Sequence, residues 1–142
     1  MHSIRDILRE KGTTVRSVGP DETVFEAIRR MAEHGIGALL VVEGDKPVGL
    51  VSERDYSRKV ILRGLRSRET MVRTIMSSPL LTISPDASVQ QGLSTMTDKH
   101  VRHLPVADES GILGMVSIGD LVKGVIQDQQ ELIEQLESYI AR

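Results

Sequence analysis

Cysteine is absent from this chain, which excludes disulfide bonds, thiolate metal sites and a cysteine nucleophile. Aromatic residues are nearly absent. Phe25, Tyr56 and Tyr139 lie far apart in sequence, so they form no evident platform for stacking single-stranded bases. No stretch approaches the roughly 18 consecutive apolar residues of a membrane span, and the first residues lack the apolar segment of a secretory signal. We therefore expect an aliphatic core, no membrane partner and a cytoplasmic location.

An excess of positive charge is also missing. The formal net charge is −2, and 27% of the residues are charged. Such a surface is not built to neutralise a phosphate backbone over many contacts, so we expect no nucleic-acid partner. The 142 residues allow one ordinary domain or two very small ones. Two small units would each bury too little apolar surface alone, so they must fold against each other.

What the chain does contain is an internal repeat. Shifting the sequence by 65 positions superposes residues 15–61 on residues 80–126 without a gap. The matched residues include Pro20 with Pro85, Asp21 with Asp86, Val24 with Val89, Met31 with Met96, Gly49 with Gly114, Ser52 with Ser117 and Asp55 with Asp120. The repeat predicts two copies of one small structural unit that share a core.

Each repeat predicts the order strand, helix, strand, strand, helix. In the first repeat these elements are a strand at Val15–Val18, a hairpin of Ala38–Val42 and Val48–Ser52, and a closing helix at Asp55–Leu62. Thr23 with Glu26, and Ser88 with Gln91, are capping boxes for the intervening helix, and Gly35 suits its left-handed stop. We expect a mixed α/β fold of two β-α-β-β-α units packed about a pseudo-two-fold axis.

The predicted boundaries follow the repeat. Residues 1–62 hold a lead-in helix and the first unit, 63–79 a linker, 80–126 the second unit, and 127–142 a C-terminal helix. The lead-in IRDIL is echoed by VRTIM in the linker. Leu132, Leu136 and Tyr139 or Ile140 give the last helix an apolar face, which either docks on the core or meets a second chain. We expect a homodimer.

These motifs resemble a known family. Each unit resembles a CBS domain, the repeat named for cystathionine beta-synthase, and the tandem resembles the paired Bateman module. The resemblance covers about residues 4–126 and rests on the two lead-ins, on PDETVFEAIRRM and PDASVQQGLSTM, and on ALLVVEGDKPVGLVSERDYS and HLPVADESGILGMVSIGDLV. One departure is Leu40, where the family usually has the proline seen at Pro105.

The resemblance implies a function. Such pairs bind adenosine-containing ligands, namely AMP, ATP, NAD or S-adenosylmethionine, in clefts between their two units, and they regulate an enzyme, transporter or channel. No such effector domain is evident in the chain, so the resemblance implies a separate effector protein. We expect a nucleotide-sensing regulatory module with an adenine nucleotide as its ligand. The residues do not choose among these ligands, because adenosine is common to all of them.

Two strand-to-helix junctions carry the candidate ligand chemistry. Asp55 and Asp120 fall in the first turn of a helix, where a carboxylate can accept hydrogen bonds from ribose hydroxyls and helix amides can hold a phosphate. Each aspartate follows a serine three residues earlier, which is also a capping box, so capping and binding are both open readings. The candidate nucleotide-binding residues are Thr14, Val15, Gly37, Ala38, Ser52, Arg54, Asp55, Pro79, Leu80, Arg102, His103, Pro105, Ser117, Gly119 and Asp120.

The resemblance implies that the clefts are crossed. Asp120 would then work with Thr14, Val15, Gly37 and Ala38, and Asp55 with Pro79, Leu80, Arg102 and His103. On this pairing Arg54 and Arg102 favour a charged nucleotide in the Asp55 cleft, since Gly119 and Gly37 hold the matching places in the other. The alternatives are core packing for Val15 and Leu80 and surface solvation for the two arginines.

Other classes of function are weaker. His100 and His103 are three residues apart, but no carboxylate is placed to complete a metal site, so we expect none. No serine has a histidine base at a known spacing, and no Walker-type phosphate loop is present, so we expect no enzyme. Two alternatives remain: a ligand-free scaffold that dimerises and holds a partner, and a hydrolase of the bound nucleotide.

Overall fold

The computed structural model describes residues 2–141, which divide into two compact units. The first-repeat unit is Val15–Leu81, and the second-repeat unit joins the chain up to Thr14 to the chain from Thr82 onward. Each unit holds one copy of the predicted mixed α/β repeat, which confirms the fold class. Residues 1 and 142, which the predicted first and last segments include, lie outside the described residues. Within residues 2–141 no helix is both long and apolar enough to cross a bilayer.

The first-repeat unit contains strands β1 (Ser17–Val18), β2 (Ala38–Glu43) and β3 (Lys46–Ser52), helices α2 (Val24–His34), α3 (Glu53–Tyr56) and α4 (Val72–Ile75), and a π-helical turn at Ser57–Ile61. The second-repeat unit contains helices α1 (Ile4–Lys11), α5 (Val89–Lys99) and α6 (Ile118–Ile140) and strands β4 (His103–Asp108) and β5 (Gly111–Ser117). β1 runs parallel to β2, which pairs antiparallel with β3. β4 and β5 form the matching hairpin, so both predicted hairpins are confirmed.

The two sheets differ by one strand, and Leu40 explains the difference. Its amide donates to the carbonyl oxygen of Arg16 over 3.1 Å and so joins β1 to β2. Pro105 stands at the matching place in β4 and has no amide hydrogen to donate. There the expected first strand is reduced to a bridge between Ile83 and Val106. The family departure noted at Leu40 therefore strengthens the sheet of the first repeat.

Helices α2 and α5 begin and end where the repeat predicts. Thr23 and Ser88 each accept a hydrogen bond from the amide three residues onward, which satisfies one of the unpaired amides of the first turn. Of the capping boxes predicted for α2 and α5, the one at Ser88 is complete and the one at Thr23 is not, because the carboxylate of Glu26 pairs with arginines further along α2. Gly35 ends α2 with a φ of 62°, and His100 ends α5 at the matching position with a φ of 56°.

The lead-in helix α1 packs in the second-repeat unit, whereas the boundaries predicted from sequence place it with the first repeat. Ile4, Ile7 and Leu8 are buried in the core of that unit. Glycines make room for them: a Cβ on Gly114 would lie 2.7 Å from Leu8, and one on Gly124 would lie 2.7 Å from Ile7. The surface that fits α1 is therefore formed by residues far along the chain, which position in the sequence does not indicate.

The segment 63–79, expected to be a linker, completes the first-repeat unit. Its helix α4 buries Val72 and Ile75 in the core of that unit. The amide of Val72 donates to the carbonyl oxygen of Glu22 over 2.9 Å, which fixes the start of α4 beside α2. Each repeat is thus completed by the short helix that precedes the other repeat in the chain.

Both cores are aliphatic, as composition predicts. The buried residues of the first-repeat unit are Val18, Val24, Ala27, Met31, Leu39, Val41, Val51, Val60, Val72 and Ile75. Those of the second are Ile4, Ile7, Leu8, Ile83, Val89, Met96, Leu104, Val106, Val116 and Leu121. The closing helices differ, because α3 passes into a π-helical turn, whereas α6 runs unbroken from Ile118 to Ile140. The boundary predicted at 127 therefore falls inside a helix.

Candidate functional site

The two serine-to-aspartate junctions adopt the same geometry. Ser52 ends β3 and Ser117 ends β5, both in extended conformation, and each serine hydroxyl accepts the amide of the aspartate three residues onward. Each aspartate carboxylate returns a bond by accepting the serine amide, at 2.9 Å for Asp55 and 2.8 Å for Asp120. The capping reading is confirmed at both junctions, and it fixes each carboxylate at a strand end.

Asp55 is bound through both carboxylate oxygens. Oδ2 accepts from the amide of Ser52 and, over 3.0 Å, from its hydroxyl. Oδ1 lies 3.1 Å from the ammonium of Lys59, one turn further along the chain. Lys59 also donates to the carbonyl oxygen of Ile75 over 3.0 Å. The ammonium therefore bridges a carboxylate and a main-chain carbonyl within the first-repeat unit.

Asp120 is bound through one oxygen. Its Oδ2 accepts from the amide of Ser117 and, over 2.6 Å, from the ammonium of Lys11 at the end of α1. Lys11 also donates to the carbonyl oxygen of Met115 over 2.8 Å. Desolvation alone would raise the pKa of Asp120, but the bonds from Lys11 and Ser117 outweigh it and hold the pKa below its ordinary value. Asp120 is therefore an anion at neutral pH, as acceptance of ribose hydroxyls requires.

Sequence reasoning missed Lys11 and Lys59. Lys59 stands four residues after Asp55, a spacing at which side chains meet on one helix face, so this signal was available. Lys11 is 109 residues from Asp120, and only the packing of α1 against the second repeat brings the two together. A local pattern does not reveal that pair.

Fewer helix amides are available for a phosphate than the sequence suggests. The amide of Glu53 donates to Gly37 over 3.1 Å, and that of Ile118 donates to Arg102 over 2.9 Å. The amides of the two aspartates are taken by the serine hydroxyls. Among the described residues this leaves the amide of Gly119 as the unbound one of the first three in α6. Phosphate recognition would therefore fall mainly to side chains.

The structure places the predicted residues in both units. Thr14, Arg102, His103, Pro105, Ser117, Gly119 and Asp120 belong to the second-repeat unit, and Val15, Gly37, Ala38, Ser52, Arg54, Asp55, Pro79 and Leu80 to the first. The amides of Glu53 and Ile118 donate to the carbonyl oxygens of Gly37 and Arg102, the residues just before β2 and β4. Inside each unit these bonds hold the start of that strand beside the aspartate junction. Val15 and Leu80 are half-buried and stand outside both buried clusters. The crossed pairing stays a prediction.

His103 is a neutral group in this environment. Burial lowers its pKa, and the positive charge of Lys11 lowers it further. It pairs with Ser117 across the β4–β5 hairpin, at the edge of the aspartate junction. His103 therefore offers a ligand a hydrogen bond and no charge, which leaves Arg102 as the cation of that segment.

A pocket adjoins the Asp120 junction within the second-repeat unit. It has a volume of about 410 Å³ and lies between α1 and α6, lined by Glu10, Lys11, Asp120 and Lys123 among others. The side-chain oxygen of Gln127 also borders it and is buried without a hydrogen-bond partner among the described residues. The pocket combines two ammonium groups with two carboxylates, so it suits a polar ligand.

One group of side chains has metal-ligating atoms close together. Among the described residues, His2, Asp128 and Glu131 place such atoms within 4.8 Å of one another. The imidazole of His2 donates to the carboxylate of Asp128 in a short contact, and the His2 amide donates to it over 3.0 Å. The hydrogen bond to Asp128 raises the pKa of His2, which favours the charged imidazolium and hence an ion pair with the Asp128 carboxylate. The pair links the start of the chain to α6.

Comparison with known proteins gives a consistent result. The sequence model of the CBS domain matches residues 4–61 and 72–127. Over 147 aligned residues the chain is 37% identical to the mitochondrial CBS domain-containing protein CBSX3 of Arabidopsis thaliana, covering 97% of this chain and 71% of that protein. An inosine-5'-monophosphate dehydrogenase from Korarchaeum cryptofilum also matches at 33% identity, but the alignment spans only 22% of that enzyme and 83% of this chain.

Solved structures agree in fold. A candidate signal-transduction protein with CBS domains from Burkholderia ambifaria aligns with a TM-score of 0.86 and 44% identity. The alignment covers 90% of this chain and 96% of that one. A CBS-domain containing protein from Agrobacterium tumefaciens aligns with a TM-score of 0.82 and 32% identity, covering 87% and 98% of the two chains. The resemblance predicted from the repeated motifs is confirmed.

Proposed function

Because the chain belongs to the CBS-domain family, with two such domains in tandem, we propose that it is a regulatory module that binds an adenine nucleotide. The ligand would be AMP, ATP, NAD or S-adenosylmethionine, held at Asp55 and at Asp120. The module itself would catalyse no reaction. Its output would pass to a separate effector protein.

The observation that carries this proposal is the repeated carboxylate. Each repeat ends its hairpin at a serine and fixes an aspartate there, with the same pair of capping hydrogen bonds in both units. A capping box alone needs no lysine, yet both carboxylates also hold an ammonium group. An anion fixed at a strand end and partly open to solvent is suited to accept the two hydroxyls of a ribose.

The proposal is tested by ligand-induced stabilisation. Thermal unfolding is measured on the full chain with AMP, ATP, NAD and S-adenosylmethionine, each at about a hundredfold excess over the Kd. A ligand of the folded state then adds about 2.7 kcal/mol to the free energy of unfolding. The shift should shrink in both Asp55→Ala and Asp120→Ala and persist in Asp98→Ala, a change on the exposed face of α5. Absence of a shift with all four ligands would reject the proposal.

A second candidate, the ligand-free scaffold, is favoured by the last turns of α6. Leu132, Ile133 and Leu136 are each more than half exposed there, and Ile140 is 82% exposed. An exposed apolar face of this kind suits a second copy of the chain. Dimerisation and nucleotide binding are compatible. The two candidate functions are therefore distinguished only by whether an adenine nucleotide binds.

The remaining expectations are proposals of the same kind. The dehydrogenase match concerns only a small part of that enzyme, so it supports no catalytic role for this chain. We place the chain in the cytoplasm. The plant relative carries a mitochondrial name, which concerns that protein alone. Fractionation of the source cells with an antibody against the chain would test the location.

A further inference from the structure

Each unit contains a lysine that bridges the site aspartate and a main-chain carbonyl. Lys59 contacts Asp55 and donates to Ile75 over 3.0 Å. Lys11 contacts Asp120 and donates to Met115 over 2.8 Å. An ammonium has three donors, so in each unit two are used and one remains for water or a ligand. The same arrangement therefore occurs twice.

The repeat does not account for this likeness. Gly124 stands at the position that matches Lys59, and its lack of a side chain makes room for Ile7 of α1. Lys11 comes from α1, before the repeat begins. Two lysines from unrelated elements therefore reach equivalent aspartates. The ammonium at the aspartate is therefore a feature that the two sites share and that the sequence repeat does not explain.

The ammonium occupies acceptor capacity that a ribose needs. Ribose hydroxyls donate to a carboxylate, and the lysine donates to the same group. The lysine side chains are 38% exposed for Lys11 and 34% exposed for Lys59, so each pair is partly screened by water and is weak enough to open. A lysine has a flexible stem, which lets its charge turn toward an anion that arrives nearby.

We infer that Lys11 and Lys59 are the residues that make these sites specific for nucleotides over nucleosides, an inference that rests on the proposed function. In the empty site each lysine neutralises the aspartate. When a nucleotide binds, the ribose takes the carboxylate and the lysine turns to the phosphate. Adenosine takes the carboxylate as well but offers the released ammonium no anion, so it binds more weakly.

The two sites should differ in degree. Both oxygens of Asp55 are engaged, so a ribose must displace Lys59. Asp120 uses Oδ2 for both of its partners, which leaves Oδ1 without a hydrogen bond among the described residues. A ribose hydroxyl can therefore reach Oδ1 of Asp120 before Lys11 turns away from Oδ2. The discrimination against adenosine should be larger at Asp55 than at Asp120.

The experiment compares AMP with adenosine by calorimetry. Lys59→Met is made in an Asp120→Ala background and Lys11→Met in an Asp55→Ala background, so that a single site is measured each time. At the Asp55 site we expect Lys59→Met to weaken AMP at least about tenfold and to strengthen adenosine, because no ammonium has to be displaced. Lys59→Arg should retain most of the preference for AMP. Lys99→Met, at the exposed end of α5, is the matched control.

The outcomes separate the two proposals. Opposite changes for the two ligands cannot come from misfolding, which would weaken both. An unchanged ratio of the two affinities in both methionine variants would overturn the inference, and so would loss of both ligands, which would make the lysines structural. Failure of the unsubstituted protein to bind any of AMP, ATP, NAD or S-adenosylmethionine would instead reject the proposed function.

Discussion

Gly49 lies against the main chain of Ser77, since a Cβ on Gly49 would be 2.6 Å from the carbonyl oxygen of Ser77. The two segments are also joined there by hydrogen bonds between Leu50 and Ser77. Main chain cannot move aside as a side-chain tip can, so we expect Gly49→Ala to lower the free energy of unfolding by about 1–3 kcal/mol. Denaturant unfolding measures this change.

The matched control for this substitution is Gly119→Ala. A Cβ there meets no atom closer than the hydroxyl oxygen of Ser117, at 3.7 Å. We expect its free energy of unfolding to change by no more than about 0.5 kcal/mol. Equal losses in the two variants would show that close packing at Gly49 is not the cause.

The repeat predicts Gly49 and Gly114 as special positions, but it does not predict what fills the space beside them. Gly49 faces the backbone after α4, whereas Gly114 faces the side chain of Leu8 from α1. The boundaries predicted from sequence assign these two neighbouring segments to the linker and to the first repeat, respectively. Local patterns specify helices, hairpins and caps, because those depend on neighbouring residues. They leave open which unit a short amphipathic helix will join.

The ion pair of His2 with Asp128 predicts a pH-dependent stability. The pKa of His2 is raised above its ordinary value of 6.5, so its contribution is present below 6.5 and is lost as pH rises through the folded pKa. Desolvation would raise the pKa of Asp128, but the hydrogen bonds from His2 outweigh it and lower the pKa from 3.8. The contribution of Asp128 to stability is therefore lost as pH falls through the folded pKa.

We therefore expect Asp128→Asn to lower the melting temperature more at about pH 5.5 than at about pH 9, because the stabilising contribution of His2 is lost as pH rises through its raised folded pKa. Scanning calorimetry at both pH values measures the difference. Asp98→Asn, on the exposed face of α5, should show none. A loss in Asp128→Asn that is the same at both pH values would contradict an ion pair.

Arg54 and Gly119 occupy matching places in the two repeats and predict unequal phosphate binding. Charge-assisted bonds from arginine to phosphate are strong, and Arg54 lies one residue before Asp55. We expect Arg54→Gly to weaken ATP at least about tenfold and Gly119→Arg to strengthen it. Isothermal calorimetry with ATP measures both. Should Arg54→Gly bind ATP as tightly as the unsubstituted chain, the arginine serves only to solvate the surface.

The apolar face on α6 predicts self-association. Leu132 and Leu136 are 55% and 53% exposed, one turn apart. We expect the chain to sediment as a dimer at micromolar concentration and the double change Leu132→Glu with Leu136→Glu to sediment as a monomer, because charge on this face opposes its burial. Gln129→Glu, on the same helix, is the control and should stay dimeric. A monomer for the unsubstituted chain would contradict the prediction.

How much of the site the sequence predicts depends on the distance along the chain. Ser52 with Asp55 and Ser117 with Asp120 are three residues apart, and both were predicted as caps and ligand groups. Lys11 lies beside Asp120 only because glycines of the second repeat admit α1, so no spacing rule finds it. The crossed clefts and the pseudo-two-fold packing rest on the family resemblance and stay predictions.

The central claim is that Asp55 and Asp120 hold the ribose of an adenine nucleotide. Its most direct test is calorimetric titration of AMP into the unsubstituted chain and into the double variant Asp55→Ala with Asp120→Ala, with Asp98→Ala as the control. We predict binding to the unsubstituted chain and to the control, and at least about a hundredfold loss in a double variant that remains folded. Unchanged AMP affinity in the folded double variant would contradict the account.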